Sequence, residues 1–306
     1  MTTTLRPAAE PIDPIAADGR RLRRPSRFRS IRLGELTVTY VPDGAVELVP
    51  RGWLPDATAD QWTAHADHLD ENGNLVAGIG GLLVEYGDRA LLIDSGVGPV
   101  TVPRDPDNPL IGAISGGALL ENLARAGRDP GRIEAVAFTH LHGDHIGWAA
   151  HRGAGGEPVF TAADYLVAEP EWAQRHPSAE HAVTAEMLEV MGRKVRPIGD
   201  GEEIFPGVVA STAAGHTAGH TAYSITSQGR RLLAFGDALH SPLQVRYPHW
   251  SSGVDHDRDE SARARGALVD ELARTGDIGF GNHFADVVFG TVARDDAGRT
   301  SWVPLP

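Results

Sequence analysis

No stretch of the chain narrows its fold as sharply as Phe138 to Trp148, which reads Phe-Thr-His-Leu-His-Gly-Asp-His-Ile-Gly-Trp. His140, His142, Asp144 and His145 place three imidazoles and a carboxylate within six positions. Those are the ligand types that borderline metals such as zinc accept. The residues just before, Ile133 to Thr139, are apolar except for Glu134, and Val136 and Phe138 favour a strand. Gly143 and Gly147 are expected to break that strand and turn the backbone. The cluster therefore belongs on a loop at the C-terminal end of a buried strand. There His140 and His142, two apart, turn toward one point if the chain between them stays extended. The rival reading is three surface histidines that fall together by chance. A polar run of this density on an apolar strand end has no use in packing, which favours the ligand reading.

The pattern His140-x-His142-x-Asp144-His145 resembles the signature of the metallo-β-lactamase-fold hydrolases. Candidates for the rest of that family's ligand set follow in order. His216 stands in Gly-His-Thr-Ala-Gly-His-Thr, Asp237 in Phe-Gly-Asp-Ala and His283 in Gly-Asn-His-Phe. The resemblance spans about residues 31 to 300, judged by motif order. It implies an α/β (α+β) fold, a four-layer αβ/βα sandwich with two mixed β-sheets. It also implies two divalent metal ions, zinc first and manganese, iron or cobalt as alternatives. His140, His142 and His216 would hold one ion, Asp144, His145 and His283 the other, and Asp237 would bridge them. A metal-bound hydroxide would then attack an electrophilic centre, with Asp144 and Asp237 in the catalytic set. By the same resemblance Asp94, in Ile-Asp-Ser-Gly, supports a ligand loop from beneath, and His220 is structural rather than a ligand.

Composition limits the alternatives. With no cysteine, metal binding falls to His, Asp and Glu. A net charge of −13 argues against a broad nucleic-acid face, so a small-molecule substrate is expected and nucleic acid is not. No apolar run reaches membrane-span length, and the N-terminus lacks the apolar core of a signal peptide. A cytoplasmic enzyme without a membrane partner is the expectation, and a homo-oligomer is left open. Residues 1–30 lack an apolar period and are expected to form a flexible arm ahead of one catalytic domain over 31–306. The basic run Arg20–Arg24 is read as part of a solvated arm rather than as an interaction tail.

Along the chain, strands are expected at Leu36–Val41, Leu82–Tyr86, Ala90–Ile93, Val159–Phe160, Val208–Thr212, Tyr223–Thr226, Arg231–Phe235 and Ile278–Phe280. Pro42-Asp43-Gly44 reads as a turn. Helices are expected from Ser115, as cap, to about Ala126, over Glu169–Trp172 and Ala179–Met191, and from Asp257 to about Arg274 with Glu260 completing a capping box. His65 and His68, three apart in another expected helix, can share a face; a second metal site there would need more ligands, and exposed or substrate-facing histidines are the favoured reading. Trp53 is a candidate for a pocket mouth.

The run Asp237-Ala-Leu-His240-Ser-Pro-Leu-Gln244 resembles the branch of the family holding methyl parathion-type organophosphate hydrolases, some lactonases and the cyclase/thioesterases of aromatic polyketide pathways. The resemblance implies a hydrolase of an ester, lactone or thioester. A polyketide cyclase/thioesterase or phosphotriesterase is the alternative, and a non-catalytic metal-binding protein the reading from another class. Acyl-homoserine lactonases tend to carry a tyrosine where this chain has His240, which is therefore a candidate proton donor to the substrate. Trp148, Leu243, Tyr247, Trp250 and Phe284 lie near ligands in sequence and are expected to line an apolar pocket, with core packing the equal alternative.

Overall fold

The computed structural model describes residues 19–153 and 155–306. Among them, one sheet is built from β1 (Arg29–Leu33), β2 (Leu36–Leu48), β3 (Leu75–Tyr86), β4 (Arg89–Ile93), β5 (Thr101–Val102), β6 (Ile111–Ser115), β7 (Ala135–Ala137), β8 (Asp164–Ala168) and β9 (Val195–Ile198). Its order is β5-β6-β2-β3-β4-β7-β8-β9, with β1 paired to β2. A second sheet runs in sequence order through β10 (Glu203–Phe205), β11 (Val208–Thr212), β12 (Thr221–Ser227), β13 (Arg230–Ala234), β14 (Ile278–Phe280), β15 (Phe289–Arg294) and β16 (Thr300–Pro304). Both sheets are mixed. β4, β7, β8 and β9 run parallel in the first, β13 and β14 in the second, and the other pairs are antiparallel. The helices are α1 (Pro50–Trp53), α2 (Ala59–Ala64), α3 (Leu119–Arg125), α4 (Gly143–Ala150), α5 (Glu169–Ala173), α6 (Ala185–Gly192), α7 (Pro242–Arg246) and α8 (Arg258–Thr275). None of the described helices is long and apolar enough to cross a membrane.

Side-chain alternation sets the layers, because successive residues of a strand point to opposite faces. Leu82, Val84, Leu91, Ile93, Ala135, Ala137 and Leu166 of the first sheet pack against Val208, Ala210, Tyr223, Ile225, Leu232 and Ala234 of the second. Their neighbours of opposite parity, Leu83, Leu92, Val136, Tyr165 and Val167, meet Leu119 and Leu123 of α3, Ile146 and Trp148 of α4 and Met191 of α6. On the far side Ala222, Leu233 and Trp302 bury Val269 and Leu272 of α8. The result is helix, sheet, sheet, helix: the four-layer sandwich that the resemblance implies.

Several sequence expectations need correction. Pro42-Asp43-Gly44 does not end β2; the strand continues past a register shift there. The irregularity turns the Asp43 carboxylate inward. It accepts from the N–H groups of Val97, Gly98, Gly117 and Leu119 at 2.9–3.0 Å and from the Trp148 indole at 2.8 Å. Ser115 is the last residue of β6, and α3 begins at Leu119, whose N–H is met by this remote carboxylate instead of by a local cap. Val159–Phe160 is not a strand; β8 at Asp164–Ala168 takes the place beside β7, and Phe160 is buried under the helices. α6 starts at Ala185, with the Thr184 hydroxyl accepting from the Met187 N–H, because Ala182 at φ 54° interrupts the chain before it. Gly143 opens α4 and Gly147 lies inside it, so neither breaks the chain. A Cβ on Gly147 would sit 2.1 Å from the Val97 carbonyl carbon, so its smallness serves close packing.

The expected arm is also corrected where it is described. Residues 1–18 lie outside the described residues. From Gly19 onward the chain packs on the body: Arg21–Arg23 forms a 3₁₀ turn with Leu22 buried, and β1 begins at Arg29.

Candidate metal centre

Strand ends deliver the polar cluster. His140 follows β7, His216 follows β11, Asp237 follows β13 and His283 follows β14, while Asp94 directly follows β4. β4 and β7 are parallel neighbours, as are β13 and β14. Their carboxyl ends therefore open onto the same edge of the sandwich. Asp144 and His145 enter on the first turn of α4, and His142 is its N-cap.

The side chains converge on Asp237. His283 Nε2 lies 3.1 Å and His145 Nε2 3.3 Å from its Oδ1. His240, His216 and His140 Nε2 lie 3.2, 3.5 and 3.8 Å from its Oδ2. Asp144 Oδ2 closes the group from the other side, 3.6 Å from His283 Nε2 and 3.7 Å from His145 Nε2. His142 Nδ1 lies 3.2 Å from His216 Nε2. Three overlapping trios have ligand atoms within 4.8 Å of one another: His140–His142–His216, His140–His145–Asp237 and Asp144–His145–His283. A fourth joins His216, Asp237 and His240. All seven residues expected from the sequence as ligands are brought together, and His240 stands among them.

The outward nitrogens fix the tautomers. His145 Nδ1 donates to Asp94 Oδ2 at 2.9 Å, and His216 Nδ1 donates to Asp255 Oδ1 at 2.8 Å. His283 Nδ1 donates to the Gly78 carbonyl at 2.7 Å. The Thr139 hydroxyl donates to Asp94 Oδ2, so it accepts from His140 Nδ1 at 3.0 Å. With the proton held outside, Nε2 turns a lone pair inward. Nε2 of His140 and His145, Oδ1 of Asp237 and both ring nitrogens of His240 are buried without a hydrogen-bond partner among the described residues. Lone pairs facing lone pairs around a buried carboxylate fit a cation and little else. The pKa shifts follow the same crowding. Burial and the neighbouring imidazoles hold His140 and His142 well below the ordinary histidine value. Burial also pulls His145 and His283 downward, but the Asp237 and Asp144 carboxylates outweigh it and raise both.

A second ring of groups holds the ligand loops. The Asp94 carboxylate, at φ 61° past β4, also accepts from the Thr139 N–H at 2.9 Å. His220 is committed to the backbone: Nε2 accepts from the Asp237 N–H at 3.0 Å and Nδ1 donates to the Ala213 carbonyl at 3.1 Å. Burial and nearby His216 push His220 down to about 3, which keeps that acceptor neutral. Gly236, at φ 51°, lets this segment approach; a Cβ there would meet His220 Nε2 at 2.7 Å.

Three further residues were not legible as site groups. Buried Glu171 ties two ligand loops together, accepting from the Leu141 N–H, the Thr217 hydroxyl and the Gly219 N–H at 2.7–3.0 Å. Asp255 orients His216 and accepts from fully buried Arg265 at 3.3 Å. Arg265 also donates to the carbonyls of Ala238, Pro248 and Trp250 at 2.7–2.9 Å, so it secures the segment that carries His240. Its position carries a signal: with Ser261, Val269 and Leu272 it forms the buried stripe of α8, where an arginine is out of place.

The expected apolar pocket is not where the sequence puts it. Trp148 is spent on Asp43 and the helix layer, and Phe284 packs on Phe235 and Trp302. Leu243 and Trp250 are buried with Trp62, and Tyr247 stacks on Trp250 at 4.2 Å with its hydroxyl 3.0 Å from His65 Nε2. Each follows a ligand at a strand end, where the chain turns back into the layers and buries its large side chains. The cleft instead opens beside His142 and His216. It holds about 200 Å³ and is walled by Arg175, His181, Val183 and His256. His181 stacks on His142 with ring centroids 3.9 Å apart. Trp53 sets its edge on His240 at 5.3 Å. His65, Asp67 and His68 form a further trio on and just before a 3₁₀ turn, and His68 lines a small cavity together with His240 and His283.

The sequence model of one family, described as the metallo-beta-lactamase superfamily, matches residues 82–302. No curated protein matches the chain. Among solved structures, AidC, a dizinc quorum-quenching lactonase in complex with a homoserine product, superposes with a TM-score of 0.78 at 23% identity, over 92% of this chain and 98% of its own. The hydrolase AbOPH of the beta-lactamase superfamily gives 0.74 at 21% identity, over 93% and 99%. A probable metal-dependent hydrolase from Staphylococcus aureus gives 0.76 at 19% identity, over 90% and 99%. At these identities the likeness speaks for the fold.

Proposed function

The chain belongs to the metallo-beta-lactamase superfamily and is a metal-dependent hydrolase, and from that premise we propose that it opens carbonyl esters, lactones first, with two zinc ions held around Asp237. One observation carries the reading. Around a single buried carboxylate, His140, His142, Asp144, His145, His216 and His283 present ligand atoms in three overlapping trios. His140, His142 and His216 would hold one cation, Asp144, His145 and His283 the other, and Asp237 would touch both. When bound, the cations supply Lewis acidity and make water a nucleophile at neutral pH.

The chain's own residues do the remaining work. The carboxylates of Asp94 and Asp255 keep the Nδ1 protons of His145 and His216 outward, which holds the Nε2 lone pairs on the site. The cleft beside His142 and His216 admits a substrate whose carbonyl reaches the cluster. His240, 1% exposed, is placed to donate a proton to the carbonyl or leaving oxygen, and burial pulls it toward the neutral form against the pull of Asp237. Val183 and Leu188 supply apolar wall for an acyl chain, and the product complex of the structurally similar lactonase supports a lactone as the first substrate to try.

The test is a turnover panel on the zinc-loaded protein, spanning acyl lactones, aryl esters, thioesters and phosphotriesters. Lactone hydrolysis well above the other classes is expected. Turnover of thioesters or phosphotriesters alone would replace the substrate assignment while leaving the metal site in place.

A further inference from the structure

The basic run near the N-terminus has no part in the chemistry above, yet it reaches the site. His283 leaves β14 and is followed by Phe284-Ala285-Asp286, in which Ala285 adopts φ 45°. A side-chain-bearing residue stays in the left-handed region only when its surroundings hold it there. Here the surroundings are the N-terminal segment. The Asp286 N–H donates to the Arg21 carbonyl at 3.0 Å, and Arg21 Nε donates back to the Asp286 carbonyl at 2.9 Å. The Asp286 carboxylate, 1% exposed, accepts from Arg24 at 2.8 Å, from Arg29 at 2.7 Å and from the Ser26 hydroxyl at 3.4 Å. Between these clamps Leu22, 2% exposed, forms one wall of a small cavity that His240, His283 and Ala285 also line.

We propose that residues 19–29 are a positioning strap for His283. They lock the turn at Ala285–Asp286, so that His283, and His240 beside it, face Asp237 only when the N-terminal segment is docked. The strap's bonds run to Asp286, three residues past His283, so it acts on that end of the cluster. A segment that served stability alone would have no reason to discriminate between the two ends. The inference rests on the two-metal reading above and extends it: the cation held through His283 depends on the strap, and the cation held through His216 does not.

Stepwise cobalt titration of the full-length, metal-free protein tests this, with the visible absorption bands read for each step and circular dichroism for the fold. Wild type should take two cobalt ions in two steps; fewer than two would overturn the dinuclear reading itself. In Leu22→Ala and Asp286→Asn one step should weaken by roughly 10–100-fold while the other moves by less than about twofold. Leu22→Met, which keeps the bulk of that wall, should leave both steps near wild type. Arg24→Ala, on a side chain that is 46% exposed, removes one clamp without a folding risk and should weaken the same step by a smaller factor. Two steps that weaken together, or two unchanged steps alongside a lower melting temperature, would show that the segment serves stability only and overturn the proposal.

Discussion

Asp237 carries the greatest burden of any single residue. It is 3% exposed and faces five imidazoles, whose combined pull outweighs burial and holds its carboxyl well below the usual range. Asp237→Ala should abolish turnover and reduce bound metal below two ions per chain, as elemental analysis would show. His240 is separable from it. Both its ring nitrogens lack a hydrogen-bond partner among the described residues, and its ring lies parallel to His283 at 5.8 Å. His240→Ala should keep both ions and the melting temperature but lower turnover by roughly 10²-fold, the low end for losing a positioned proton donor. Loss of an ion in that variant would place His240 in the coordination set, and full activity would make it scaffold. The ligand residues were readable because ligand chemistry depends on residue type and local spacing. Glu171, Asp255 and Arg265 were not, because each works through a partner at least ten positions away that only the fold supplies.

Among the elements, α8 and the N-terminal segment do the most for the site from outside it. Arg265 of α8 is fully buried against Asp255. Removing one member of such a pair strands the other, so Arg265→Met should cost about 3–5 kcal/mol in chemical denaturation. Adding Asp255→Asn should recover part of that loss, whereas additive losses would mean the two do not act as a pair. The N-terminal segment adds a pH signature. Burial alone would raise the Asp286 carboxyl, but Arg29 and Arg24 hold it below its ordinary value. The folded state thus binds its proton less readily than the unfolded chain, whose carboxyl sits at about 3.9. Its stabilisation is complete above that value and fades as pH falls through the lower folded value. The gap in melting temperature between wild type and Asp286→Asn should therefore hold steady above about pH 5 and shrink in more acid solution; a gap that widens with acid would contradict the assignment. Short apolar strands such as β11 and β14 could be placed from sequence to the residue. Those set by remote partners could not. The start of α3 depends on Asp43, and the docking of Arg21–Arg24 depends on Asp286, both invisible to a local window.

At the scale of the whole molecule, two mixed sheets share one apolar interface, and the polar cluster sits where the ends of β4, β7, β13 and β14 meet. The layered fold followed from the resemblance, and the order of the ligand motifs matched the order of the strands that carry them. The position of the cleft did not follow, since residues close to ligands in sequence turn back into the core. We propose that this assembly hydrolyses a lactone with two cations acting together. The most direct measurement is a zinc titration of the metal-free protein while lactone opening is followed by acid release. Turnover should climb with added zinc and level off at two equivalents per chain. Saturation at one equivalent, or acid release that never depends on zinc, would contradict two cations acting together on a lactone.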